Sequence, residues 1–116
     1  MRALGLLGLL GLLFVAAGCA GGADPDAAQP VATTRVTLPK SYRFDPVAIV
    51  VDRGAPVTWV NEDNFTHTVK FEAGADRTVH KLGRGDSLTL RFARPGTYRY
   101  TCTLHPHDMR GKVVVR

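Results

Sequence analysis

Side-chain alternation with a period of two, cut by turn-forming pairs, dominates the sequence from Val31 to Arg116. Successive side chains of a strand point to opposite faces, so such a pattern commits the chain to sheets with one face buried. Residues 57–61 (Val-Thr-Trp-Val-Asn) read as a strong strand, and residues 66–72 are strand-like. Residues 88–92 alternate cleanly, with Leu88, Leu90 and Phe92 on one face. In residues 97–102, Tyr98, Tyr100 and Cys102 share one face, and Thr97, Arg99 and Thr101 share the other. Runs at 31–38, 47–51 and 112–116 complete the set, with turns at Asp52-Arg53-Gly54 and Pro95-Gly96. No stretch after residue 30 sustains a helical period, so the only helix expected is a short turn near residues 73–77. Short strands separated by turn signals every ten residues or so predict an all-β sandwich of about seven or eight strands.

The first 18 residues stand outside this pattern. Arg2 supplies a positive start, residues 4–15 are apolar apart from Gly5, Gly8 and Gly11, and Ala16-Ala17-Gly18 lead to Cys19. The run is too short and too glycine-rich for a good transmembrane helix, and it sits where the apolar core of an export signal belongs. The small residues before Cys19 resemble the lipobox of bacterial lipoprotein signals. That resemblance implies cleavage before Cys19, lipidation of Cys19, and a periplasmic or cell-surface protein anchored to the membrane. The other reading of Cys19 is an incidental cysteine in a signal anchor. Residues 19–30 are small, polar and rich in Gly and Pro, and are expected to form a flexible tether. Residues 31–116 suffice for one domain, expected to be a monomer.

Charge excludes one class of function. The chain has 15 Lys and Arg against 10 Asp and Glu, a net +5. The basic residues are dispersed, and no stacking aromatics accompany a basic cluster, so no nucleic-acid surface is expected. There are two cysteines. Lipidation of Cys19 would leave Cys102 as the only thiol, excluding a disulfide within the domain. A lone thiol in an oxidising compartment must be buried or bound. Alternation turns Cys102 inward with Tyr98 and Tyr100, which suits a core thiol and equally a soft metal ligand.

The loop after Cys102 separates those readings. Its residues, Thr103-Leu104-His105-Pro106-His107-Asp108-Met109, add two imidazoles and a thioether, and His67 comes directly after the polar loop at residues 61–66. Thiolate, two imidazoles and a weak thioether make up the donor set of a blue-copper electron-transfer site. Soft sulfur favours Cu(I) and imidazole accepts either state, so a rigid frame holding this set demands little movement on electron transfer. Zinc sites use Cys, His and carboxylate, and Met is absent from that list. The spacing alone leaves both His105 (C-x2-H) and His107 (C-x4-H) as candidate imidazoles. A copper-free sandwich with a core thiol and incidental histidines is the plainest alternative.

Residues 100–115 (Tyr-Thr-Cys-Thr-Leu-His-Pro-His-Asp-Met-Arg-Gly-Lys-Val-Val-Val) resemble the carboxy-terminal copper loop of the cupredoxins, nearest to the amicyanin, plastocyanin and pseudoazurin branches. Val57-Thr58-Trp59-Val60-Asn61 through His67-Thr68-Val69 resemble the family's upstream histidine segment, and Phe44-Asp45-Pro46 with Ile49, Val50 and Val51 also match. The resemblance covers roughly residues 35–116. It implies a cupredoxin-like Greek-key β-sandwich holding one type-1 copper through His67, Cys102, His105 and Met109. The gap between His105 and Met109 lies between those of amicyanin and plastocyanin. His107 is the competing ligand, since its spacing from Cys102 matches azurin. His80, without a ligand-like neighbour, reads as a surface histidine, and Trp59 as core. The likeness suggests that a polar side chain, Asn61 or Thr68, ties the His67 loop to the Cys102 strand.

The implied function is one-electron transfer between redox proteins, without catalysis. Partners would dock near His105, Leu104 and Pro106, with Met109 a further candidate for that rim. Copper trafficking, storage or resistance would use the same ligands.

Overall fold

The computed structural model describes residues 23–73 and 76–116, and the expected leader (1–18) and Cys19 lie outside them. Among the described residues, alternation yields nine strands and no helix. They are β1 (Val31–Ala32), β2 (Arg35–Leu38), β3 (Ala48–Val51), β4 (Pro56–Asn61), β5 (His67–Phe71), β6 (His80–Leu82), β7 (Ser87–Arg91), β8 (Gly96–Thr101) and β9 (Arg110–Val115). Six form one sheet in the order β1-β3-β9-β8-β5-β6, and three form the other in the order β2-β4-β7. Both sheets are mixed: β1, β3 and β9 run parallel, as do β2 and β4, while the remaining pairs are antiparallel.

Two strands lie beyond the seven runs read from the sequence. The run at 31–38 breaks at Thr33-Thr34, so that β1 joins the large sheet and β2 the small one. A hydroxyl turn assists the crossing, because the Thr33 Oγ1 accepts the Arg35 N–H at 3.3 Å. β6 is too short to announce itself by alternation. The helical turn expected near residues 73–77 is absent among the described residues there, and Gly74 and Ala75 lie outside them. The expected turn after β3 forms with Gly54 at φ 76°, a conformation glycine adopts at little cost.

Inward positions of both sheets meet in one core. Val36 and Leu38, Val57 and Trp59, Val69 and Phe71, Tyr100, and Val113 and Val115 are all buried, each alternating with more exposed neighbours. Trp59 lies edge-to-face with Tyr100 (5.4 Å, 89°) and Phe71 (5.9 Å, 82°), and Phe44 with Tyr100 (4.8 Å, 79°). Such pairs add about 0.5–1.5 kcal/mol each beyond the area they bury. Tyr100 lies opposite Gly111 in the β8–β9 ladder, and a Cβ on Gly111 would collide with the Tyr100 ring and hydroxyl. The glycine is therefore the floor on which the aromatic ring rests.

Within the segment expected to be a tether, Asp26 forms a two-pronged ion pair with Arg99 on β8 (2.7 and 3.1 Å) and lies 3.8 Å from Lys112 on β9. The Arg99 guanidinium holds the Asp26 carboxyl below the usual carboxylate range.

The core generates two predictions. Gly111→Ala should lower unfolding stability by about 1–3 kcal/mol through overpacking, read as a shifted urea midpoint. Burial pushes the Tyr100 phenol well above the ordinary tyrosine range, with the nearby Trp59 indole opposing weakly. A raised folded value means that stability is complete below the unfolded value of about 10 and declines above it. Ultraviolet titration should show the Tyr100 tyrosinate signal appearing only with unfolding.

Candidate metal centre

The ladder between β8 and β9 continues one step past its last strand pair. Thr101 lies opposite Arg110, and beyond them the Cys102 N–H donates to the Met109 carbonyl at 3.0 Å. Residues opposite one another in an antiparallel pair project to the same face. Cys102 and Met109 therefore both point inward, and both are 0% exposed. The loop between them is wound tight: the His105 N–H donates to the Cys102 carbonyl (3.2 Å), and the His105 carbonyl accepts from the N–H groups of Asp108 (3.2 Å) and Met109 (2.9 Å).

β5 brings the third group. It pairs antiparallel with β8, so its first residue, His67, starts at the pole where β8 ends. His67 is also 0% exposed, and its Nδ1 lies 3.8 Å from the Cys102 Sγ. Two donors at about 2.0–2.3 Å from one ion and roughly 120° apart would be separated by about 3.7 Å, taking bond lengths from zinc sites. His105 is half-buried, its ring centroid 5.7 Å from that of His67. His107 is exposed on the loop. Among the described residues no three His, Cys, Asp or Glu side chains form a group that could hold a metal ion.

Thr68 ties the two segments together. Its hydroxyl oxygen accepts the Thr103 N–H at 2.7 Å and lies 2.8 Å from the Thr103 Oγ1. Its own N–H points at the Cys102 Sγ at 3.4 Å, presenting the positive end of a backbone dipole to the sulfur. Asn61 has a different task from the one anticipated. Its amide donates to the carbonyls of Phe65 (2.8 Å) and Leu82 (2.9 Å), and its carbonyl accepts the Asp63 N–H (2.9 Å). It thus braces the His67 loop internally and against β6, while Thr68 makes the tie to the Cys102 strand.

Sequence reasoning missed two contacts. The Asp63 carboxylate is buried, and its Oδ2 lies 2.8 Å from the His67 Nε2. An Asp in a polar loop reads as turn chemistry, and only the four-residue spacing to His67 hints at the pairing. Tyr42, at φ 51°, sets its ring edge-on to His105 (4.7 Å) and His67 (5.9 Å) and stacks on Phe65 (6.1 Å). Non-glycine residues seldom adopt that backbone region, so nothing in the sequence foreshadows it.

Met109, considered for the exposed rim, is wholly buried. Beside His105 lie the exposed Leu104 (55% exposed), Pro106 and Tyr42 (42%), with Phe65 (59%) stacked on Tyr42. His80 is not a bare surface histidine: it is part-buried, and its Nε2 pairs with the Asp76 Oδ2 at 2.7 Å.

Comparison with known proteins places this arrangement. A family model described as a cupredoxin-like domain matches residues 8–115. The chain is 36% identical to amicyanin-alpha of Methylorubrum extorquens, covering 99% of each chain, and 35% identical to amicyanin of Paracoccus denitrificans, covering 78% of this chain and 72% of that one. It is 28% identical to the copper-resistant cuproprotein CopI of Rubrivivax gelatinosus over 82% of this chain and 73% of that protein. Among solved structures, a reduced amicyanin variant aligns with a TM-score of 0.65 and 31% identity, covering 76% of this chain and 92% of that one. A copper-containing nitrite reductase from Thermus scotoductus aligns at 0.64 and 30% identity, covering 81% of this chain and 27% of the reductase.

Replacing Asn61 by Ala would orphan the buried Leu82 carbonyl and Asp63 N–H and the part-buried Phe65 carbonyl. At about 1–3 kcal/mol per unpaired buried group, the metal-free protein should lose at least about 2 kcal/mol in a denaturant titration.

Proposed function

The chain belongs to the cupredoxin-like family, and on that premise we propose that it is a one-electron carrier holding a single type-1 copper. His67, Cys102, His105 and Met109 would be the ligands. What carries the reading is the burial of thiol, thioether and imidazole at one pole, with the His67 Nδ1 and Cys102 Sγ 3.8 Å apart. Their donor chemistry fits copper better than zinc, because a thioether weakly complements thiolate and imidazole. Bound there, copper would supply the Cu(II)/Cu(I) couple. The protein's share is to orient the donors on strand ends and to exclude water with Tyr42 and the core. His105, half-buried between Tyr42 and the exposed Leu104 and Pro106, gives a redox partner its nearest approach to the site. Four protein donors leave no open position for a substrate, so catalysis forms no part of the reading. The nitrite reductase resemblance extends over 27% of that enzyme.

Export and attachment through a lipidated Cys19 complete the proposal. They rest on the apolar run at 4–15 and the small residues at 16–18. Copper handling is the second reading, favoured by the similarity to CopI and by the exposed His107 beside the site.

The deciding experiment is absorption and electron paramagnetic resonance of the copper-loaded protein. The carrier should be blue with a type-1 spectrum, and Cys102→Ser should abolish the colour. A colourless copper-loaded wild type rejects the reading. Loss of Cu(I) within seconds to a modest chelator favours copper delivery over electron transfer.

A further inference from the structure

A buried carboxylate beside a proposed ligand needs a reason. Asp63 is 3% exposed, and burying a charge is costly unless it is paired and hydrogen-bonded. Here the compensation is thorough. The Asp63 Oδ2 faces the His67 Nε2 at 2.8 Å, and Oδ1 accepts the Asn64 N–H at 2.7 Å. Asn61 in turn clamps the Asp63 backbone and the Phe65 carbonyl. The carboxylate can neither swing away nor act as a donor. An ionised carboxylate only accepts, so the nitrogen facing it must carry the proton. The Nδ1 of a neutral His67 is then left with its lone pair directed toward the Cys102 Sγ, 3.8 Å away.

The geometry points to Asp63 as a positioning residue for His67: it fixes the imidazole as the Nε2–H form with Nδ1 aimed at Cys102, and its negative charge favours the oxidised over the reduced metal. The second half rests on the copper reading above, whereas the first stands on the chain alone. Carboxylate partners of ligating histidines orient the ring and raise its basicity. A full negative charge, buried one imidazole away from the ion, also stabilises Cu(II) more than Cu(I) through Coulomb attraction.

Two variants separate orientation from charge. Asp63→Asn keeps an oxygen acceptor and removes the charge, while Asp63→Ala removes both. Long-range nitrogen–proton NMR on the metal-free protein reads the tautomer directly. The wild type and Asp63→Asn should show His67 protonated at Nε2, and Asp63→Ala should show a mixture. In the copper-loaded protein, Asp63→Ala should bind copper about 10- to 100-fold more weakly. Asp63→Asn should raise the reduction potential, each tenfold change in the Cu(II)/Cu(I) affinity ratio corresponding to about 59 mV for one electron. A metal-free wild type protonated at Nδ1, or an Asp63→Ala protein that keeps the Nε2–H form and wild-type copper affinity, overturns the positioning role. An unchanged potential in Asp63→Asn overturns the charge effect. Wild type that binds no copper defeats the copper reading and the charge effect with it, while the tautomer measurement still decides the positioning role.

Discussion

Everything at the pole depends on the register of β8 against β9. Because Tyr100 lies opposite Gly111 and Thr101 opposite Arg110, the next pair, Cys102 and Met109, falls on the inward face and is closed by a backbone bond. Sliding β9 by one residue against β8 would turn Met109 to the face opposite Cys102. The register has its own lock. Tyr100 needs a partner without a side chain beneath its ring, and Gly111 is the residue that offers one. The packing that stabilises the core thus aligns the two sulfur side chains.

The polar groups of the fold divide by position. At the centre, the Trp59 Nε1 and Tyr100 Oη have no hydrogen-bond partner among the described residues. They are tolerated because two large aromatic bodies contribute burial and edge-to-face contact that outweigh the loss. At the pole, the buried polar side chains Asn61, Asp63, His67 and Thr68 are satisfied by one another or by backbone. A satisfied network in a low-dielectric setting is stiff, since rotating one member strands its neighbours. Stiffness of this kind keeps the His67 and Cys102 donor atoms in place before any ion arrives.

Much of this was legible in advance. The strands containing Trp59, Leu88 and Tyr100 announced themselves by alternation, and the inward side of Cys102 was implied by Tyr98 and Tyr100. The C-x2-H-x3-M spacing drew attention to the loop whose ends, Cys102 and Met109, are buried side by side. The features that stayed hidden share a cause: they depend on contacts that local pattern does not encode. The break at Thr33-Thr34 occurs inside a run of good strand formers, because two sheets compete for it. β6 has three residues, too few for a period. Asp63 resembles any loop Asp until His67 is seen above it, and Tyr42 occupies a backbone region its residue type disfavours. Asp26 reads as tether composition until Arg99 and Lys112 are found beneath it.

The split in exposure across the pole bears on what kind of chemistry it can perform. Cys102, Met109 and His67 have no surface of their own, and Tyr42 closes over the imidazoles from outside. A small molecule or a chelating side chain from another protein could not reach the sulfurs without opening the loop or moving that ring. An electron needs no such passage, because it can tunnel through an imidazole edge that only approaches the surface, as His105 does. For ion exchange the same burial is an obstacle, and His107, exposed two residues further along, would have to work against it. A pole built to receive and release copper would leave a donor open to the partner that takes the ion. The enclosure of three of the four proposed donors therefore favours a carrier that keeps its ion and passes charge.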